Sequence, residues 1–180
     1  MTTPATTPLE TPGGRLELRA ATPDELLGLI DGTPGYEDIR VFFVSGDVQP
    51  EWIQALRAAA GGGPDPWRHG FFVCEHGSPK VVGYASFKGQ PDAAGMVEIA
   101  YGIVPRCQSR GYATEAAAAL VRFASCDPRV KLLRAHTLAE ENASTKVLMK
   151  CGFSHVGGVM EPDDGPVWRW ERRPSHIGAR

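Results

Sequence analysis

The stretch Met96 to Ala113, MVEIAYGIVPRCQSRGYA, decides the fold. Met96 to Val104 is mostly apolar and reads as a buried strand, which Pro105 stops. A short polar turn carrying Gly111 follows, and then an alanine-rich helix from about Gly111 to Ser125. A strand that empties through such a turn into a helix leaves backbone N–H groups unpaired at the positive end of the helix dipole. That arrangement binds anions, and phosphate is a common guest.

The character of the turn narrows the phosphate. Gln108-Ser109-Arg110-Gly111-Tyr112-Ala113 lacks the Lys-Ser/Thr ending of a P-loop, which argues against a nucleoside triphosphate with magnesium. It lacks G-x-G-x-x-G and lies late in the chain, which argues against a dinucleotide fold. What remains is a pyrophosphate held mainly by backbone amides. Gly111 allows close approach of the main chain, and Arg110 adds a cation. Ala113, Ala116, Ala117, Leu120 and Ala124 recur at helical spacing and form a smooth face for a sheet.

Outward from this centre, the chain reads as one domain. Leu16, Leu18 and Ala20 alternate with polar residues from Arg15 onward, as in a strand. Thr22-Pro23-Asp24-Glu25 is a helix start of the capping-box kind, and that helix ends near Gly32. Val41 to Val44 is a short apolar run with no clear assignment. Pro50 to Ala60 is helical, and Gly61 to Pro66 is a loop. Strands over Gly70–Glu75 and Val81–Lys88 are joined by His76-Gly77-Ser78-Pro79, and Gln90 to Gly95 is a further turn. Beyond the central helix, Leu132–Leu138 is a strand. Asn142–Lys150 is a helix stopped at Cys151-Gly152. Phe153–Val159 and Val167–Arg172 form a closing strand pair around the acidic turn Glu161 to Gly165. This order predicts an α/β (mixed α+β) fold: a mixed, mostly antiparallel central sheet with helices on both faces. The unit from Val97 to Leu138 is expected to be parallel.

Composition sets outer bounds. The 180 residues carry a formal charge of −2, without the basic stripe that nucleic acid or an anionic membrane surface calls for. No apolar run approaches the roughly 18 residues that span a bilayer. The Thr/Pro-rich opening MTTPATTPLETPGG has no basic and apolar leader pattern, so a cytoplasmic protein is expected. The expected layout is a disordered N-terminal tail at 1–14, a domain at 15–173 and a C-terminal tail at 174–180. Cys74, Cys107, Cys126 and Cys151 are scattered, with no histidine at zinc-ligand spacing, so reduced thiols and no metal are expected.

Two motifs at matching separation resemble the GNAT superfamily of N-acetyltransferases. The first is its acyl-CoA signature Q/R-x-x-G-x-G/A, here Gln108-x-x-Gly111-x-Ala113 after Ile103-Val104-Pro105. The second runs through Glu141-Asn142-Ala143-Ser144, Lys146-Val147-Leu148 and Lys150-Cys151-Gly152-Phe153. It is similar to the helix of the branch that includes ribosomal-protein alanine acetyltransferases (RimJ/RimL-like). Val82-Gly83-Tyr84 resembles the strand before the signature.

The resemblance implies a GNAT fold in which a bulge splays a parallel strand pair and the pantetheine arm of acetyl-CoA, or another acyl-CoA, lies in the opening. Gly102 is a candidate for that bulge. It implies cofactor contacts at Ile103, Val104, Gln108, Ser109, Arg110, Gly111, Tyr112, Ala113, Thr114, Asn142, Ser144 and Lys146. The implied reaction is direct acetyl transfer to a primary amine of a small molecule or a peptide N-terminus. Such an attack needs a proton acceptor. Glu98 is the first candidate, and His136 the second. Many relatives carry a tyrosine thiolate donor where this chain has Leu148, so the general acid is unassigned; Tyr101 and Tyr112 are the nearest hydroxyls. Cys107 adjoins the turn, but direct transfer needs no nucleophile. An acidic rim of Glu37, Asp38, Glu161, Asp163 and Asp164 is expected to favour a cationic acceptor, with Trp52, Trp67, Trp168 and Trp170 as possible walls. A non-catalytic acyl-CoA-binding or sensing domain is the alternative. A protein-interaction module on the same scaffold is a further rival, against which the intact Gln, Arg and Gly of the signature argue. Either a monomer or a homodimer is compatible with the sequence.

Overall fold

Apolar alternation gives strands of the central sheet at Leu16, Leu18 and Ala20 and at Val97 and Ile99, and glycine at position 32 ends the first helix. The structure is a computed structural model that describes residues 7–44, 50–162 and 164–175. In chain order the elements are β1 (Leu9–Glu10), β2 (Leu16–Ala20), α1 (Pro23–Asp31), α2 (Glu37–Val44), α3 (Pro50–Ala58), α4 (Pro66–His69), β3 (Phe71–Glu75), β4 (Val81–Phe87), β5 (Met96–Ile103), α5 (Tyr112–Ser125), β6 (Leu132–Leu138), α6 (Ala143–Lys150), β7 (Ser154–Glu161) and β8 (Gly165–Arg172). Eight strands form one sheet in the order β1-β2-β3-β4-β5-β6-β8-β7. Among the described residues only β5 and β6 run parallel; every other neighbouring pair is antiparallel. The mixed, mostly antiparallel sheet is the one read from the sequence.

Helices cover both faces. On β3, Phe71 packs edge-on against Phe123 of α5, while the adjacent Phe72 packs against Tyr36, beside α2. Consecutive strand residues point to opposite faces, so these two contacts assign the two helical layers. Leu16, Leu18, Phe71, Val73, Ala85, Ile99, Leu120 and Leu133 are among the buried residues that fill the core.

The capping box read at Thr22 is present: its hydroxyl accepts from the Glu25 N–H at 3.3 Å, and the Glu25 carboxylate accepts from the Thr22 N–H at 3.0 Å. Gly32 ends α1 with φ 89°, a left-handed conformation that glycine adopts freely.

Several expectations need correction. The tail expected at 1–14 is only in part outside the described residues, at 1–6. Leu9–Glu10 pairs with Glu17–Leu18, and Thr11 is buried with its hydroxyl on Leu16 O and Glu115. Two residues are too short to show alternation, so β1 left no signal. The unassigned Val41–Val44 lies within helix α2. A one-turn helix, α4, follows the Gly61–Pro66 loop; Asp65 caps it through the N–H groups of Trp67 and Arg68. Gly102 is not at a bulge, because β4 and β5 pair without a register shift from Gly83/Ile103 to Phe87/Ile99. Glycine is required instead at Gly83, opposite Ile103: a Cβ there would lie 2.4 Å from the Gly102 carbonyl oxygen. The closing hairpin also runs further into the acidic turn than expected, to Glu161 on one side and from Gly165 on the other.

Candidate active site

The parallel pair carries the site. β5 and β6 are in register at Met96/Leu132, Val97/Leu133 and Glu98/Arg134, and pairing ends there. Beyond that point β5 pairs only with β4, and β6 only with β8. The two strands therefore splay, as the resemblance implied. A cleft of about 280 Å³ fills the opening, lined by Glu98, Ile99, Ala100, Tyr101, Ala135, His136, Thr137, Leu138 and Ser144, with Lys88, Asp164 and Val167 at its edges.

Backbone direction follows from the pairing. The Lys88 N–H donates to the Glu98 carbonyl at 2.9 Å, and the Val104 N–H to the Val82 carbonyl at 2.9 Å, so even-numbered β5 positions turn their polar groups toward β4. The odd positions Ile99, Tyr101 and Ile103 turn theirs toward the opening. The Ile103 carbonyl accepts from the Gln108 side chain at 3.0 Å. Gln108 thus folds back to brace the end of the strand.

At the root of the splay Glu98 and His136 meet. His136 Nδ1 is 3.1 Å from Glu98 Oε1, and its side chain is only 9% exposed. Lys88 Nζ lies 2.8 Å from the same carboxylate oxygen. Arg169 Nε donates to His136 Nε2 at 3.3 Å, and Glu161 stands 3.6 Å from that nitrogen. A guanidinium can only donate, so Nε2 must be the acceptor and Nδ1 carries the proton that Glu98 receives. Both base candidates are brought together, but the lone pair of His136 Nε2 is engaged by Arg169, while Glu98 offers its carboxylate oxygens as acceptors.

Tyr101 and α6 close the far side. The Tyr101 hydroxyl is 3.1 Å from Ser144 Oγ, and burial pushes its pKa up to about 12, with the bond to Ser144 opposing. Asn142 caps α6: its Oδ1 accepts from the N–H groups of Ser144 at 2.9 Å and Thr145 at 3.1 Å. Leu148 is fully buried and Lys146 is exposed on the helix.

At the mouth, Gly111 caps α5 with φ 82°, Ser109 is also left-handed at φ 60°, and no side chain caps the helix. The first-turn N–H groups are therefore available to an anion. Arg110 and Gly111 are exposed; Ala113 and Thr114 are half-buried. Tyr112 is anchored by its hydroxyl on Glu75 at 3.2 Å. Arg15 supports the turn from β2's end, donating to the Arg110 carbonyl at 3.0 Å and pairing with Glu115. Ile103 and Val104 are buried at the end of β5, and Gln108 to Gly111 are exposed on the turn that follows.

Sequence reasoning missed Lys88, Arg169 and Arg15. Each reaches its partner across strands or over a long chain separation, so no local motif marks it. The acidic rim is dispersed: Asp38 pairs with Arg106, Glu37 accepts the Gly35 N–H at 3.0 Å, Glu161 and Asp164 stand at the cleft, and Asp163 lies outside the described residues. The tryptophans do not wall the cleft. Trp67 packs on Phe87 and Phe123, and Trp170 is buried with its Nε1 on Thr137 at 3.1 Å. Cys107 is buried, out of reach of a substrate.

The description "Acetyltransferase (GNAT) domain" matches residues 15–154 of the chain. An uncharacterized N-acetyltransferase of Bacillus subtilis (strain 168), YjdG, is 31% identical over 91 residues, which are 51% of this chain and 52% of that protein. The chain thus spans about half the length of that curated relative. Among solved structures, RimL, a ribosomal L7/L12 α-N-protein acetyltransferase in complex with coenzyme A, superposes with a TM-score of 0.67 at 16% identity, over 94% of this chain and 99% of its own. The aminoglycoside acetyltransferase AAC(6')-Ib in complex with coenzyme A does so with a TM-score of 0.63 at 20% identity, over 90% and 96%. At these identities the likeness is one of fold. No helix among the described residues is long and apolar enough to cross a membrane.

Proposed function

The chain belongs to the GNAT acetyltransferase family, and from that premise we propose that it transfers an acetyl group from acetyl-CoA directly to a primary amine of a small molecule or a peptide N-terminus. The observation that carries this reading is the splay of β5 from β6 immediately after Glu98, with the uncapped start of α5 at its mouth.

The residues divide the work. The first-turn amides of α5, with Arg110, receive the pyrophosphate, and Gly111 keeps a side chain out of its way. The open backbone positions Ile99, Tyr101 and Ile103 face the pantetheine arm as a neighbouring strand would. The N–H of Ile99 or Tyr101 meets the oxyanion that develops at the thioester carbonyl. Glu98 takes the proton of the acceptor amine, because an alkyl ammonium has no free electron pair with which to attack. His136, with its Nδ1–H on Glu98, positions that carboxylate. The Tyr101 hydroxyl, kept protonated by burial, supplies a proton to the departing thiolate. This fills the role that Leu148 cannot. Glu161 and Asp164 attract a cationic acceptor. We place the protein in the cytoplasm, where acetyl-CoA and reduced thiols coexist.

A thermal-shift titration with acetyl-CoA and CoA, with NAD and ATP as controls, tests the reading. A rise in Tm with the CoA species alone supports it, and a thiol-release screen of amines then identifies the acceptor. Absence of any shift at millimolar acetyl-CoA overturns it. A shift without amine-dependent thiol release from any acceptor favours a binding or sensing domain.

A further inference from the structure

One ammonium group already stands where an acceptor amine must stand. Lys88 follows the end of β4, and its N–H bond to the Glu98 carbonyl makes the two residues cross-strand partners with side chains on one face. Its Nζ is 2.8 Å from Glu98 Oε1, and the side chain lines the cleft of the splayed strands while remaining 55% exposed. Of the five lysines in the sequence it alone lines that cleft. Lys80 pairs with Glu75, Lys131 donates to the Pro128 carbonyl, and Lys146 and Lys150 are exposed on α6.

We propose that Lys88 is an intramolecular acetyl acceptor, a modification site built into the active cleft. The inference rests on the acetyl-transfer reading above. Lys88 Nζ loses a proton to Glu98 and attacks the thioester carbonyl carbon. The N–C amide bond forms, the C–S bond breaks, and the CoA thiolate leaves and takes up a proton. Acetylation removes the positive charge from the cleft and breaks the ion pair that holds Glu98. Burial by itself lowers the pKa of the Lys88 ammonium. The hydrogen bond and charge of Glu98, with Asp164 and Glu161, outweigh burial and raise it overall. With His136 and Arg169 also beside the carboxylate, and Arg134 its in-register neighbour on β6, transfer to Lys88 is slow at neutral pH and accelerates as pH rises.

The test incubates the purified full chain with acetyl-CoA and follows acetylation by intact mass and peptide mapping. Lys88 is expected to be labelled at least about tenfold faster than Lys80, Lys131, Lys146 or Lys150, at a rate independent of protein concentration. Glu98→Gln should slow labelling of Lys88 by about 100-fold, the scale of a general base. Lys88→Arg, which keeps a cation beside Glu98, should abolish the signal from that peptide while the shift of Tm by acetyl-CoA persists. Labelling of Lys88 no faster than the other lysines, or unaffected by Glu98→Gln, overturns the proposal. If acetyl-CoA raises Tm and an external amine is acetylated while Lys88 stays unlabelled, the inference alone fails. If acetyl-CoA does not raise Tm, both fail.

Discussion

His136 donates its Nδ1–H to Glu98 Oε1 across 3.1 Å, and Arg169 fixes the tautomer by donating to Nε2 at 3.3 Å. Histidine and carboxylate thus form one unit with unequal parts. In the proposed reaction the carboxylate takes the amine's proton and the imidazole orients it.

That inequality predicts a ranking. Glu98→Gln should lower kcat/KM by about 10²–10³ while the Tm rise with CoA is preserved. His136→Asn, whose amide can still donate to Glu98, should retain more activity than His136→Ala. Steady-state kinetics on an amine found by thiol release decide it. If His136→Ala costs more than Glu98→Gln, the roles are reversed.

Tyr101 supplies a second expectation. Tyr101→Phe keeps the ring and removes the hydroxyl beside Ser144. The expected result is a fall in kcat of about 10²-fold with an unchanged KM for acetyl-CoA. An unchanged kcat would assign the thiolate's proton to water.

Gly111 is left-handed at φ 82°, and a Cβ there would sit 3.3 Å from Arg15 Nη2. Gly111→Ala should cost about 1 kcal/mol of stability from the backbone conformation. It should also weaken CoA binding on the order of tenfold. Isothermal titration with CoA, paired with a Tm measurement, separates the two effects.

Asn142 holds two N–H groups at the start of α6. Asn142→Ala should destabilise the fold by about 1 kcal/mol, and Asn142→Ser much less. Thermal melts report this directly as a fall in Tm of about 2–4 °C for a domain of this size.

His69 gives a pH dependence of stability. It is buried, and its Nδ1 accepts the Asp65 N–H at 3.1 Å, which requires the neutral ring. Burial lowers its pKa below the ordinary histidine value of 6.5, with the charge of Asp65 opposing and that of Arg68 adding. The unfolded chain therefore binds a proton first as pH falls. Stability should begin to fall below about pH 6.5 and level off once the folded ring is protonated. His69→Gln should flatten this slope in melts between about pH 7 and about pH 5; an unchanged slope assigns it to other groups.

Much of the protein was legible in the chain because it rests on short-range physics. The strand–turn–helix of residues 96–125, the capping box at Thr22 and the helix stop at Cys151-Gly152 each depend on residues within a few positions of one another. Single-face alternation located β2, runs bounded by turn signals located β4 and β5, and the bounds of β6 agree at both ends. Elements with little local signal went unread: β1 has two residues, α4 has four, and α2 opens on a polar, exposed face.

The sequence by itself determined the mixed sheet, the glycine turn at the start of α5 and the pair of candidate bases. Tertiary structure decided what those groups do. Lys88 and Arg169 are brought to Glu98 and His136 by the registers Phe87/Ile99, Glu98/Arg134 and His136/Arg169, and Arg15, just before β2, reaches the turn through the Arg110 carbonyl and Glu115. Strand pairing joins residues far apart in the chain, and the charge around Glu98 is set by those neighbours across the sheet.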